Sequence, residues 1–184
     1  MKVTAVGLAP DVGARPEVSG WQIRTAKAED APAIYRLVSA CREEGRLLPR
    51  TEEEIRLHAA RFLVVTSNDE VRGCAELAPL GASVAEVRSL AVDSTARGAG
   101  IGSWLVDGIA RKAAAAGFRT VCAFTHEPGY FARLGFSMVP HAWLPEKIAT
   151  DCAGCALFRR CGQFAMRLRL DEHRELYATM ERCA

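Results

Sequence analysis

The chain has 184 residues, enough for one domain with its own core and too few for two of ordinary size. Hydrophobic residues make up 49% and charged residues 25%, which excludes the composition of a disordered chain, and a net charge of +2 with dispersed arginines gives no field for nucleic acid. No apolar run reaches the ~18 residues of a membrane span and the start lacks the apolar core of a secretion signal, so a cytoplasmic protein is expected, its seven cysteines thiols or metal ligands rather than disulfides.

Residues 1–20 hold Pro10, Gly13, Pro16 and Gly20 without periodicity and read as a mobile leader, with one domain over 21–184. Trp21–Thr25 reads as a strand. A helix opens near Asp30 and Pro32, where Ile34, Leu37, Val38 and Cys41 follow helical spacing. Thr51 and Glu54 form a capping-box pattern for a second helix that ends before Phe62. Residues 62–66 and 71–77 flank Asn68, Asp69 and Glu70 as a hairpin, and 84–92 is a further strand. After a glycine-rich turn come a long helix over 101–116 stopped by Gly117, a strand over 120–124, a short helix over 130–134 ending at Gly135, and a final strand over 163–170. Residues 171–182 read as a solvated amphipathic helix with Leu176, Tyr177 and Met180 available for packing.

Arg97, Gly98, Ala99, Gly100, Ile101 and Gly102 lie between a strand and a helix whose buried face carries Ile101, Leu105, Ile109 and Ala113. Glycines admit a ligand close to the backbone, and the first helical turn leaves N–H groups unpaired at the positive end of the dipole, so the loop suits an anion such as a pyrophosphate. The alternative is a glycine turn used only for packing. A P-loop would need Lys-Ser/Thr after its last glycine, where Ser103 and Trp104 stand, and a dinucleotide fold would place its glycines near the first strand.

The segment VRSLAVDSTARGAGIGSWLVDGIARKAAAAG resembles the coenzyme A signature of the Gcn5-related N-acetyltransferases, Arg/Gln-x-x-Gly-x-Gly/Ala, at Arg97, Gly100 and Gly102, and YFARLGF from Tyr130 to Phe136 resembles a later hallmark of that family. The resemblance implies an α+β fold: a central, mostly antiparallel twisted sheet with a splayed strand pair, flanked by helices. It implies acetyl-coenzyme A as cosubstrate, with the backbone of Leu90, Ala91 and Val92 pairing with the pantetheine arm and the amides of Arg97, Gly98, Ala99, Gly100, Ile101, Gly102 and Ser103 holding the pyrophosphate.

Direct acetyl transfer needs a deprotonated amine, a polarised thioester and a proton for the thiolate. Glu86, on the strand face of Arg88, resembles the family's general base, with His126 and Glu127 as fallbacks, and Tyr130 matches the position whose hydroxyl protonates the thiolate. A solvated strand residue and a packed aromatic are the plain alternatives for Glu86 and Tyr130. Ile23-Arg24-x-Ala26, Arg61-Phe62, LPEKI and RRCGQFAM resemble the acetyltransferase domain of N-acetylglutamate synthases in a short, stand-alone form. That resemblance implies L-glutamate, or L-glutamine, as acceptor, at the first step of arginine synthesis, gripped by Arg24, Arg61, Arg88 and Arg160. Glu127 and Gly162 stand where some members carry serine. A surface charge is the alternative for each arginine taken singly.

Cys152, Cys155 and Cys161 cluster, but with one Cys-x-x-Cys they read as reduced thiols and no metal is expected; zinc, with His141 or Cys183 as fourth ligand, is the alternative. The expected partner is a small amino acid, not nucleic acid or membrane, and a homodimer is open. Two rival functions remain: an acetyltransferase of a protein N-terminus, a lysine or another amine, and a non-catalytic acetyl-coenzyme A sensor.

Overall fold

Alternation of apolar residues writes most of the sheet directly. In the computed structural model, which describes residues 20–171, strand β1 (Trp21–Thr25) is followed by α1 (Ala31–Glu43), α2 (Glu52–Leu57), β2 (Phe62–Ser67), β3 (Glu70–Pro79) and β4 (Val84–Val92). Then come α3 (Ile101–Ala115), β5 (Thr120–Thr125), α4 (Pro128–Arg133), β6 (Ser137–Val139), α5 (Pro145–Lys147), which runs on as a π-helical turn over Ile148–Cys152, and β7 (Phe164–Arg169). The seven strands form one sheet in the order β1-β2-β3-β4-β5-β7-β6, antiparallel except for the β4–β5 pair. The sheet expected from the family resemblance is therefore present, and no helix among the described residues is long and apolar enough to cross a membrane. The expected leader, Gly20 apart, lies outside the described residues, as do the tail after Asp171 and Cys183.

Local chemistry accounts for the boundaries. The Thr51 hydroxyl accepts from the Glu54 N–H at 3.1 Å and starts α2, and Pro128 opens α4 in its first turn. Asn68 and Asp69 turn the β2–β3 hairpin with φ of 51° and 61°, the positive values that a two-residue turn demands. Strand β6 has no counterpart in the expectations: its three residues are too few to show alternation, and it pairs only with β7.

The sheet separates two apolar layers. Leu63, Val65, Ala75, Leu77, Ala85 and Val87 face α3, whose Ile101, Leu105, Ile109 and Ala113 are all at most 1% exposed. Val64, Cys74 and Ala91 face the other way, onto Ile34, Val38 and Cys41 of α1 and Ile55 of α2. Within β4 the parity changes. Arg88 pairs with Glu76 and Ala91 with Cys74, so one extra residue is inserted, and Ser89 takes φ of 53°. This bulge turns Leu90 and Val92 toward the α3 layer, where strict alternation from Val87 would have sent Ser89 and Ala91. Beyond Glu86, which pairs with Cys122, β4 has no partner on its β5 side, and the two parallel strands diverge.

Helix α3 lies close to the sheet because Gly108 has no side chain. A Cβ there would stand 2.8 Å from Leu63 Cδ1 and 3.1 Å from Ile23 Cδ1. Gly108→Val therefore overpacks the layer at a cost of about 1–3 kcal/mol and should lower Tm by roughly 2–10 °C in a thermal melt, against the usual gain from replacing a helical glycine.

Candidate active site

The opening left by the diverging strands leads into a groove of about 880 Å³, within the ~300–1,000 Å³ usual for small-molecule sites. Its floor includes Leu90 and Val92, turned there by the bulge; Thr125, His126 and Glu127 at the end of β5 form one wall. The glycine-rich loop and the first turn of α3 form one end. Gly98 and Gly100 have φ of 84° and 79°, and no atom lies within 4 Å of the place where either Cβ would stand. The first intrahelical bond runs from Trp104 N to the Gly100 carbonyl, so the amides of Ile101, Gly102 and Ser103 point out of the helix end without a partner in it. That arrangement, with Arg46, Arg97 and Arg133 also lining the groove, suits a polyanion. Arg97 is not free: it donates to Glu44 at 2.8 Å and, through Nε, to the Val92 carbonyl at 3.3 Å. Of the expected cofactor residues, Ala91 faces the α1 layer, so only its backbone is open to the diverging side of β4.

Tyr130 joins α4 to this loop. A Cβ on Gly102 would lie 2.5 Å from the Tyr130 oxygen, so the glycine is what lets the phenol reach the helix end. The hydroxyl is buried and makes no well-formed hydrogen bond, although Ser103 stands beside it. Burial pushes the phenol pKa above its ordinary value, with Ser103 and Arg133 acting in the opposite sense, which keeps the proton on oxygen.

Charge collects on the other face of β4, before the bulge. Glu86 is 4% exposed, and both its oxygens accept from Lys147 Nζ at 2.8 Å. Arg88 donates to Glu86 through Nε at 2.9 Å and through Nη2, which also reaches Asp151. Lys147 completes the ring with a 2.8 Å bond to Asp151 and sits over the Phe124 ring, 5.1 Å from its centre. Burial alone would lower the Lys147 pKa; the Glu86 and Asp151 carboxylates more than offset it and hold the ammonium charged. Beside this ring, Glu76 on β3 is 1% exposed and takes Arg50 Nη2 at 3.1 Å. Neither Arg50 nor Lys147 was singled out from the sequence as a site residue. Lys147 lies in LPEKI, one of the segments already quoted for its resemblance, and its i, i+4 spacing with Asp151 was a second signal.

The structure brings Glu86 and Arg88 together at the point where the strands part, and gathers Tyr130, Glu127, His126 and the loop around the groove. Arg160 is exposed in the segment leading to β7, and Gly162 lies against His126, at 3.7 Å from its would-be Cβ. Arg24 and Arg61 sit elsewhere. Arg24 is bound through two bonds of 2.7 and 2.8 Å to Asp30, and Arg61, exposed, precedes β2, so they occupy the β1–β2 side while Arg160 occupies the β7 side, strands β2 and β7 being four spacings, roughly 19 Å, apart. The thiols of Cys155 and Cys161 are exposed and that of Cys152 half-buried, its pKa raised first by burial; no group among the described residues is arranged to hold a metal ion.

Comparison with known proteins agrees with this geometry. The model of the acetyltransferase (GNAT) family matches residues 31–136. An uncharacterized N-acetyltransferase of Chlorobaculum tepidum is 34% identical over 144 residues, 78% of this chain and 93% of the relative. The amino-acid acetyltransferase of Neisseria meningitidis is 32% identical over 131 residues, 70% of this chain but 30% of the relative. Among solved structures, N-acetylglutamate synthase from Neisseria gonorrhoeae, complexed with coenzyme A and N-acetyl-glutamate, superposes with a TM-score of 0.75 at 28% identity, covering 84% of this chain and 36% of that one. The chain thus spans about a third of the length of these two Neisseria proteins.

Because both loop glycines face open space, Gly100→Ala costs only backbone strain, whereas Gly100→Asp adds an anion where a pyrophosphate would lie. In calorimetry with coenzyme A, the alanine variant should bind within about tenfold of the parent and the aspartate variant should show no measurable heat of binding, with both melting cooperatively.

Proposed function

The chain belongs to the acetyltransferase (GNAT) family, and from that premise we propose that it transfers the acetyl group of acetyl-coenzyme A to the α-amino group of an amino acid, L-glutamate first and L-glutamine second. The observation that carries the acceptor class is the pair of cations, Arg88 and Lys147, held beside Glu86 where β4 and β5 part. A site that positions two cations next to a carboxylate base suits an acceptor that brings its own carboxylate. The amino-acid acetyltransferases among the relatives support the same choice.

In this reading the pantetheine arm lies along β4 and bonds the backbone of Leu90, Ala91 and Val92, whose polar groups have no β5 partner. The pyrophosphate occupies the helix end from Arg97 to Ser103. Glu86 takes one proton from the acceptor ammonium, the freed amine attacks the thioester carbon, the C–N bond forms, and the tetrahedral intermediate loses its second nitrogen proton to solvent as the C–S bond breaks. The Tyr130 phenol, kept protonated by burial, gives its proton to the departing thiolate and takes one back from solvent, and Glu86 returns its proton to solvent, one net proton being released per turnover. Arg160, two residues before the Gly162 that lies against His126, is assigned the outer carboxylate of the acceptor. Arg24, bound to Asp30, and Arg61 lie on the β1–β2 side, and in this reading the carboxylates of the acceptor meet Arg88, Lys147 and Arg160.

Thiol release from acetyl-coenzyme A, measured with amino acids, peptides and simple amines, tests the proposal. Turnover should be greatest with glutamate or glutamine; turnover confined to peptides or to amines without a carboxylate would replace the acceptor, and none despite coenzyme A binding would leave a sensor. Glu86→Gln should lower kcat by about 100- to 10,000-fold with cofactor affinity little changed. Arg160→Ala should raise the KM for glutamate by roughly 10- to 150-fold and leave that for acetyl-coenzyme A near its parent value; an unchanged glutamate KM removes Arg160 from the acceptor site.

A further inference from the structure

Both oxygens of Glu86 contact cations. Lys147 reaches each at 2.8 Å and Arg88 adds two bonds to Oε2, so Oε2 is fully taken and Oε1 keeps one lone pair. An incoming ammonium group therefore meets Glu86 beside two cations that repel it, and the approach eases when one of them moves. Both cations already have a second anion in reach, Asp151, and Lys147 and Asp151 belong to one short helical segment. That segment is anchored on one side by Leu144, which is 1% exposed, and continues as a π-helical turn, an irregularity often placed at functional sites.

We propose that Lys147 is a positioning residue for acetyl transfer: with Arg88 it clamps Glu86 in the resting enzyme, and a carboxylate of the acceptor takes Lys147 over and releases Glu86 for the ammonium proton. The inference rests on Glu86 being the base. Its chemistry is an exchange of counter-ions: one carboxylate leaves the Lys147 ammonium as another arrives, so the buried charge stays balanced, which matters because an unpaired charge there carries a large desolvation penalty. An amine lacking a carboxylate has nothing to exchange and meets a base still engaged. Acceptor choice thereby acts on the proton-transfer step as well as on binding.

The groups facing Glu86 are Arg88 on its own strand, Lys147 and Asp151 on the helical segment and Cys122 on β5, with Glu76 on β3 acting on it through Arg88. Lys147→Gln should raise the acceptor KM by roughly 10- to 150-fold and narrow the preference in kcat for an acceptor with a carboxylate over its decarboxylated amine, and Lys147→Arg should restore both. Asp151→Asn, which leaves Lys147 wholly to Glu86, should tighten the clamp and lower kcat. Asp151 is the more exposed of the two, which makes this variant the safer one for folding.

Both variants are measured with whichever acceptor the amine panel selects, and an acceptor without a carboxylate overturns the clamp. A narrowed preference in Lys147→Gln that Lys147→Arg restores, with unchanged coenzyme A affinity, supports it. A parent-like preference in the folded Lys147→Gln variant, or a parent-like kcat in Asp151→Asn, overturns it and makes Lys147 a structural ion-pair partner. Parent-like kcat in Glu86→Gln overturns it as well, and that outcome separately identifies failure of the base assignment.

Discussion

One inserted residue in β4 sets the geometry of the whole site. Without the bulge at Ser89, Leu90 would share the face of Glu86 and Arg88, and the groove would lose its apolar floor. With it, the strand presents charge to the α1 and α2 layer before the kink and apolar side chains to the α3 layer after it. A non-glycine residue in the left-handed region costs of order 1–3 kcal/mol, so the surrounding pairs must hold it: Glu76 with Arg88 on one side and Cys74 with Ala91 on the other. Both the separation of β4 from β5 and the change of face occur within a few residues, which is why a cofactor groove and a charged cluster can meet there without overlapping.

The charged cluster is an expensive way to fill space. Arg50, Arg88 and Lys147 oppose Glu76, Glu86 and Asp151, and several of these atoms have been taken almost fully out of water. Apolar residues of similar volume would often serve stability as well or better, so stability alone does not account for the array. What it supplies is a set of charges already desolvated and oriented before an acceptor arrives, the condition under which electrostatic effects on a reaction are strongest. Tyr130 follows the same logic with a neutral group: burial raises the phenol pKa above its ordinary value and holds the proton on oxygen.

Much of this was legible in the residues, and the failures have identifiable causes. Strands β1 to β5 and helix α3 announced themselves through alternation, turn residues and glycine stops, and the family resemblance carried the loop. The bulge was not visible, because Ser89 is an ordinary residue in an otherwise regular strand and only its register with β3 reveals the insertion. Lys147 escaped for a different reason. Its partner Glu86 lies 61 positions earlier, and no local spacing connects a lysine in a short helix to a carboxylate on a distant strand. The arginines were grouped through resemblance alone: sheet order sets Arg24 and Arg61 on the β1–β2 side and Arg160 on the β7 side, and Arg24 bonds to Asp30.

The position of β7 has a consequence for how the chain can assemble. It is inserted between β5 and β6, so β6 has no strand partner until residues 164–169 are in place. The chain between the two strands, including the segment with Lys147 and Asp151 and the stretch with Arg160, is a loop spanned by that pairing. Pairings of this kind form slowly because loop entropy is lost before contacts repay it. During synthesis the first five strands and α3 can pack before β7 arrives, so the polypeptide acquires the Gly98 to Ser103 turn and the groove beside it before β6 and the stretch with Arg160 are secured.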